Sequence, residues 1–197
     1  MRPLDTAIFR WINEWPDFLE PFFYAISEGN KWWPVRLLLL AVFIIVFTRS
    51  KKAAVTALFS WLPANELCDL LKNGFKMPRP NVELADVQLR VGEMTSFGTA
   101  SAHSANMMAV ATVFWLLYRP AGYVFLPLAI LTGISRIYVG VHYPYQVLLG
   151  WLVGATVGAL LVLVVQSVER QIGKRKNSLA DSPSEDSTPV SEPSEVN

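Results

Sequence analysis

The sequence predicts an all-α integral membrane protein, a bundle of about six transmembrane helices, on three observations. Hydrophobic residues make up 52% of the 197 and charged residues only 17%, where soluble domains hold roughly 45–50% apolar residues, glycine included. Mean hydropathy is +0.33, and apolar stretches near the roughly 20 residues that a helix needs to cross a bilayer recur along the chain. Between these stretches the basic residues fall in alternate connections, the pattern that orients a multi-pass protein.

Taken in order, the chain opens with an amphipathic pattern around residues 4–15, suited to a helix lying in the membrane interface. A weaker apolar stretch at 18–33 is interrupted by Glu20, Glu28 and Asn30. It either crosses the bilayer or rests partly in the interface, and with the opening helix it forms an N-terminal segment, residues 1–33. No apolar run precedes a small-residue cleavage site, so no cleavable signal peptide is expected. Five clear spans form a core over residues 34–168: 34–48, 53–71, 102–118, 121–139 and 147–168. Trp32, Trp33, Trp61, Trp115 and Trp151 suit anchors at the membrane–water boundary, Trp61 equally a packing residue. Gly150, Gly154 and Gly158 recur at four-residue spacing, which lets helices approach closely; packing within the monomer is preferred to dimerisation, and oligomeric state is left open. Residues 169–197 form the tail, basic at first. From Asn177 it is rich in Ser, Pro, Glu and Asp, a composition that buries too little apolar surface to fold.

Orientation follows from the cations. Arg49, Lys51 and Lys52 join the spans 34–48 and 53–71, Arg119 joins 102–118 and 121–139, and Arg170, Lys174, Arg175 and Lys176 follow the last span. Positive loops stay cytoplasmic, so the tail is cytoplasmic and the connections 72–101 and 137–146 face outward. For a bacterial chain this means a multi-pass protein of the inner membrane with both loops toward the periplasm or exterior.

Composition also excludes. A formal net charge of +1 leaves no basic stripe to neutralise phosphates along a groove, so nucleic acid is not a partner. The one cysteine, Cys68, allows no intramolecular disulfide, and no Cys/His cluster suggests zinc. Neither a metal nor another cofactor is expected.

The two outward connections hold the residues with chemistry in them. The first carries Lys72, Arg79-Pro80, Ser101 and, as the next helix begins, His103; the second carries Ser135-Arg136 and His142. These are the two histidines of the chain, at helix ends on the same expected face. Arginine offers a forked donor matched to phosphate oxygens and lysine a point charge. Histidine, with an unperturbed pKa of about 6.5, serves as nucleophile or acid near neutrality. Ser101 and the free N–H groups that open the 102–118 helix favour an anion there. Arg136 lies in an otherwise apolar run, where an unpaired charge costs at least ~2.5 kcal/mol, which favours a function for it. Glu66 and Asp69 stand at i, i+3 spacing with Lys72 three residues further on, and a structural ion pair with Lys72 or a basic loop residue is preferred for them over a proton relay. Residues 81–97 read as a lid or headgroup-contacting loop.

Three stretches, Lys72-x6-Arg79-Pro80, Ala100-Ser101-Ala102-His103 and Ser135-Arg136-x5-His142, resemble the signature motifs of the type 2 phosphatidic acid phosphatase superfamily, over roughly residues 60–160. The resemblance implies a metal-independent lipid phosphatase. In it His142 attacks phosphorus to form a phosphohistidine, and His103 protonates the leaving oxygen and then activates water. Lys72, Arg79, Ser101 and Arg136 bind the phosphoryl group. Chains of this size resemble undecaprenyl diphosphate phosphatases and phosphatidylglycerophosphate phosphatases, and a membrane lipid phosphate is the implied substrate, with the polyprenyl carrier placed first. Two departures from the family pattern stand out. Alanine replaces both the Pro and the Gly of the usual Pro-Ser-Gly-His, and Gln146 stands where the third motif has Asp. In a serine protease triad, replacing the orienting Asp by Asn costs about 10⁴ in turnover; yet the glucose-6-phosphatase-like branch also resembles this chain in having Gln there. A lipid phosphotransferase and an anion binder without turnover are the competing readings.

Overall fold

The computed structural model describes residues 3–180, and among them the regular structure is entirely helical. The helices are α1 (Pro3–Asn13), α2 (Glu20–Glu28), α3 (Trp33–Arg49), α4 (Lys51–Phe75), α5 (Pro80–Glu83), α6 (Ala102–Leu117), α7 (Arg119–Tyr138) and α8 (Pro144–Ala180). Short 3₁₀ turns, Asp17–Leu19 and Gly29–Lys31, flank α2. Two compact units divide the chain, Met1–Leu163 and Val164–Asn197; the helical bundle is the first, and the described part of the second is helical.

The five clear spans coincide with α3, α4, α6, α7 and α8, to within one residue at each end or well inside them. Among the described residues, however, length and composition qualify only Arg119–Tyr138 and Pro144–Ser178 to cross a membrane, and a third span if Asp17–Lys31 and Trp33–Arg49, bent by 73°, count as one. The difference from about six has local causes. α4 is long enough, but Asn65, Glu66, Asp69 and Lys72 enter its last turns. α6 is apolar, but its 16 residues rise only about 24 Å, short of a hydrocarbon core of about 30 Å. The 18–33 stretch is broken into two 3₁₀ turns and α2. At its far end α8 runs to Ala180, past the compositional change at Asn177; the rest of the expected disordered tail lies outside the described residues.

Membrane solvent explains what the bundle leaves outside. Leu37, Leu38, Leu40, Ile44 and Ile45 on α3 and Leu148, Leu152 and Leu160 on α8 are exposed, an apolar surface too continuous for water. α6 sits between α4 and α7 and also takes α8 on its glycine stripe. A Cβ on Gly150 would lie 2.5 Å from the Ser101 carbonyl oxygen, one on Gly158 2.7 Å from that of Ala109, and one on Gly154 would overlap that of Ala105. Packing within the monomer therefore uses all three glycines. Trp151 is a packing residue rather than an anchor: its indole donates to the Ala129 carbonyl (3.1 Å) and its ring lies against Gly133.

α3 runs into α4 through Ser50 and α6 into α7 through Tyr118, so the bundle has two distinct ends. At one, Ser50 caps α4, its Oγ accepting from Ala53 N–H at 3.3 Å, and Val46, Ala53, Ala57, Val113, Phe114 and Ala121 form a dry cluster. At the other, α4 and α7 finish where α6 and α8 begin. Here α1 and the 84–91 segment close over Phe23, Tyr138, Val141 and Tyr143. The Asn13 amide donates to the carbonyls of Gln88 and Tyr138, both at 2.9 Å. Arg90 donates to the carbonyls of Asn13 (2.8 Å) and Tyr138 (3.0 Å) and lies 4.1 Å over the Tyr138 ring. The segment expected as a lid is thus anchored through its middle to α1 and α7.

Candidate active site

Arg79 reaches its place because α4 is made to stop. Lys76 takes a left-handed conformation (φ 49°), and Met77 and Arg79 each precede a proline, which disfavours helix at both positions. Arg79 is accordingly extended, at φ −96° and ψ 159°, and its guanidinium points back into the bundle, where the residue is buried. Nε donates to the Ser96 carbonyl (2.6 Å), Nη2 to Ser96 Oγ (3.0 Å), and Nη1 to the Val141 carbonyl (3.0 Å) and to His142 Nε2 (2.9 Å). Gly98 makes room for this arrangement: a Cβ there would lie 2.8 Å from Arg79 Cγ and from both amide atoms of Gln146.

His142 is placed by the reversal between α7 and α8. The carbonyl of Arg136 accepts from the N–H groups of Val141 (3.2 Å) and His142 (3.3 Å). Gly140 at φ +86° supplies the turn, hard against the Gln88 carbonyl, where a side chain would be both strained and crowded. Pro144 then opens α8, which sets Gln146 one turn past the imidazole, with Nδ1 and Oε1 3.0 Å apart.

The bonds around the ring fix its tautomer. Arginine has no acceptor, so the contact at Nε2 requires a lone pair there and puts the ring proton on Nδ1, which donates to Gln146 Oε1. Gln146 is oriented in turn: Oε1 also accepts from Tyr143 N–H (3.2 Å), while Nε2 donates to the Pro78 carbonyl (2.8 Å) and the Tyr145 hydroxyl (3.0 Å). Burial, then the charges of Arg79 and Arg136, hold the His142 pKa well below the usual imidazole value, so the ring is neutral, with the Nε2 lone pair engaged by Arg79. Burial and Arg136 bring Arg79 down to about 10, which leaves it charged at neutrality.

Arg136 is fully buried near the end of α7. Its Nη1 donates to Glu28 Oε1 (2.7 Å) and to Ser27 Oγ, both on α2, whereas Nε and Nη2 have no partner. Its charge is felt at Arg79, His142 and His103. One buried guanidinium thus sits on the imidazole, and a second within electrostatic range keeps an unsatisfied edge, the kind of donor that suits an anion.

The other expected residues stand further back. His103, half-buried in the first turn of α6, lies within reach of the charges of Arg136, Glu28, Lys31 and Lys72, and its own charge reaches His142. Lys72 is ion-paired with Asp69 at 2.8 Å, the pairing preferred from the sequence. It lines a cavity of about 450 Å³ with Asp69, Asn73, Ser96 and Phe97, and Ser96 separates it from the Arg79 guanidinium. Ser101 caps α6, its Oγ accepting from Ser104 N–H (3.4 Å) and the Ser104 hydroxyl (2.9 Å), while its own N–H bonds the Gln146 carbonyl (2.9 Å). The structure thus joins Arg79, His142 and Gln146 directly, sets Arg136 and His103 within electrostatic range, and gives Ser101 a capping role.

Three contributors escaped the sequence reading. Ser96 and Gly98 sit in a loop without periodicity. Glu28 was noted only as an interruption of an apolar stretch, although a carboxylate in such a stretch demands a buried cation, and Arg136 was already marked as a charge in an apolar run.

Residues 53–170 match the family model described as PAP2 superfamily. The chain is 32% identical over 145 residues to an undecaprenyl-diphosphatase of Sulfolobus acidocaldarius, covering 73% of this chain and 68% of that protein. Its fold is similar to the crystal structure of Aquifex aeolicus LpxE, with a TM-score of 0.67 and 27% identity over 81% of this chain and 94% of the other. It is also similar to that of a transmembrane PAP2-type phosphatidylglycerolphosphate phosphatase from Bacillus subtilis, with a TM-score of 0.66 and 22% identity over 84% and 86%.

Proposed function

The chain belongs to the PAP2 superfamily of membrane lipid phosphatases, and from that premise we propose that it hydrolyses a lipid diphosphate through a phosphohistidine on His142. The observation that carries this reading is the run of bonds Arg79–His142–Gln146, which leaves the nucleophilic lone pair on Nε2. The Nε2 lone pair attacks the terminal phosphorus as its bond to the bridging oxygen breaks, and His103 gives that oxygen, now on the lipid monophosphate, its proton. His103 then takes a proton from water, the water oxygen attacks phosphorus, and the N–P bond returns its electrons to Nε2. Arg79, already at Nε2, passes its Nη1 donor to a phosphoryl oxygen as the phosphate enters. Arg136 offers its open edge, Lys72 the outer charge, and Ser101 the start of α6. None of these steps uses a metal.

A prenyl diphosphate is placed first among substrates because the Sulfolobus acidocaldarius relative is named for one; phosphatidylglycerophosphate and phosphatidate follow. The positive-inside pattern supports a multi-pass protein of the bacterial inner membrane with the site outside and the tail in the cytoplasm. The bonds of Gln146 disfavour an anion binder without turnover, since an amide oxygen orients Nδ1–H as a carboxylate oxygen does. Phosphate release by detergent-solubilised protein in EDTA, from a prenyl diphosphate and from phosphatidate, tests the proposal. Release that survives EDTA and is lost in both His142→Ala and His103→Ala is expected. Release abolished by EDTA, or retained by His142→Ala, would overturn it.

A further inference from the structure

Arg136 presents an unequal guanidinium. Both hydrogens of Nη1 are engaged by the N-terminal segment, one by Ser27 Oγ and one by Glu28 Oε1. The Nε and Nη2 edge, the side-on fork that matches two oxygens of a phosphate, has no partner although it is buried. A guanidinium free to rotate about its stem would share these donors out among the acceptors nearby. This one is held by one nitrogen, leaving the bidentate edge available.

The acceptor is itself constrained. Glu28 is 5% exposed at the end of α2, its second oxygen ion-paired with the exposed Lys31 and its first shared with the Ser27 hydroxyl at 3.3 Å. The 3₁₀ turn Gly29–Lys31 and the bend into α3 follow at once. The part of the chain that crosses poorly as a continuous helix is therefore the part that delivers a carboxylate to the reaction centre.

We infer that Glu28 is a positioning residue for the phosphatase reaction, holding Arg136 by Nη1 so that its Nε/Nη2 edge receives the phosphoryl oxygens. The inference rests on the anion-receptor reading of Arg136 given above. It also predicts a sign that plain electrostatics does not. Removing a negative charge near an anion site should tighten anion binding, whereas releasing the guanidinium from its hold should weaken it.

The test uses the full chain in detergent, with orthovanadate as the probe, its affinity read by competition with substrate or, if no substrate turns over, by direct calorimetry. This keeps the inference measurable even if the proposed hydrolysis fails. Glu28→Gln, close to isosteric, should weaken vanadate binding about tenfold and lower kcat more than it raises KM. The same substitution in an Arg136→Lys background should add less than about twofold. Ser27→Ala, which removes the other acceptor of Nη1, should show a smaller loss with the same dependence on Arg136, and it serves in place of Glu28→Gln if that variant does not fold. Vanadate affinity unchanged or tighter in Glu28→Gln, or an equal loss in both backgrounds, would overturn the inference.

Discussion

At the end where α3 meets α4 and α6 meets α7, the chain turns on a serine cap and an alanine-rich cluster, and the cations there face outward or lie on rings, as Lys51 does over Phe47 and Arg119 over Trp115. At the opposite end, Arg79, Arg136, His142 and Gln146 are all buried and held by directional bonds, the Nε and Nη2 edge of Arg136 excepted. The first end is made by burial of small apolar groups and tolerates change in proportion to volume. The second is made by directional bonds among groups expensive to desolvate, so one altered atom disturbs several partners. Stability and chemistry are thereby separated along the bundle axis, and substitutions at the two ends should differ in kind.

The largest effect expected is at the chemical end. His142→Ala should reduce phosphate release by at least about 10³-fold, measured on the folded fraction of the detergent-solubilised protein. Retained turnover would erase the distinction between the ends. Arg79→Lys should cost about 10²-fold in kcat/KM, because an ammonium cannot reach Ser96, Val141 and the phosphate together; a parallel kinetic and unfolding assay separates this from misfolding. In the packed middle, Gly158→Val should destabilise by about 1–3 kcal/mol through contact with the Ala109 carbonyl, seen as an earlier unfolding midpoint with kcat retained in the folded fraction. Arg119→Ala, at the far end, should remove only about 0.5–1 kcal/mol of cation–π interaction and leave kcat unaltered.

Titration sharpens the contrast. Because burial and two guanidiniums depress the His142 pKa, the acid limb of kcat/KM should lie below the ordinary imidazole value of about 6.5. The same shift has a sign for folding. Below about pH 6.5 the unfolded chain takes a proton that the buried ring refuses, so stability falls as the pH drops through that value. A kcat/KM profile whose acid limb stays at or above 6.5 would mean that the two arginines do not act on the imidazole.

Much of this end was legible in the sequence because charge in an apolar chain is conspicuous. Arg136 stood out for that reason, and the alternation of cations put both histidines on one side. The glycine spacing at 150, 154 and 158 announced a close helix contact that the structure supplies between α6 and α8. What escaped was geometry that no periodicity encodes. Ser96 holds Arg79 from a loop, the 84–91 segment docks on α1 through Asn13, Arg90 and the Arg10–Asp86 pair, and the 18–33 stretch, left open between crossing and resting in the interface, meets α3 at a 73° bend. Hydropathy averages over such residues, and their partners lie 17 to more than 100 positions away in the chain.

Gln146 has one consequence beyond orientation. A carboxamide neither gains nor loses a proton across the ordinary pH range, so its grip on Nδ1–H and on the Pro78 carbonyl is the same in acid as at neutrality. A carboxylate at that position would carry a second titration near about 3.9, with its acceptor lost as it filled. Here a single ionisation, that of the imidazole, sets how acidic the surroundings can become before the ring loses its free electron pair.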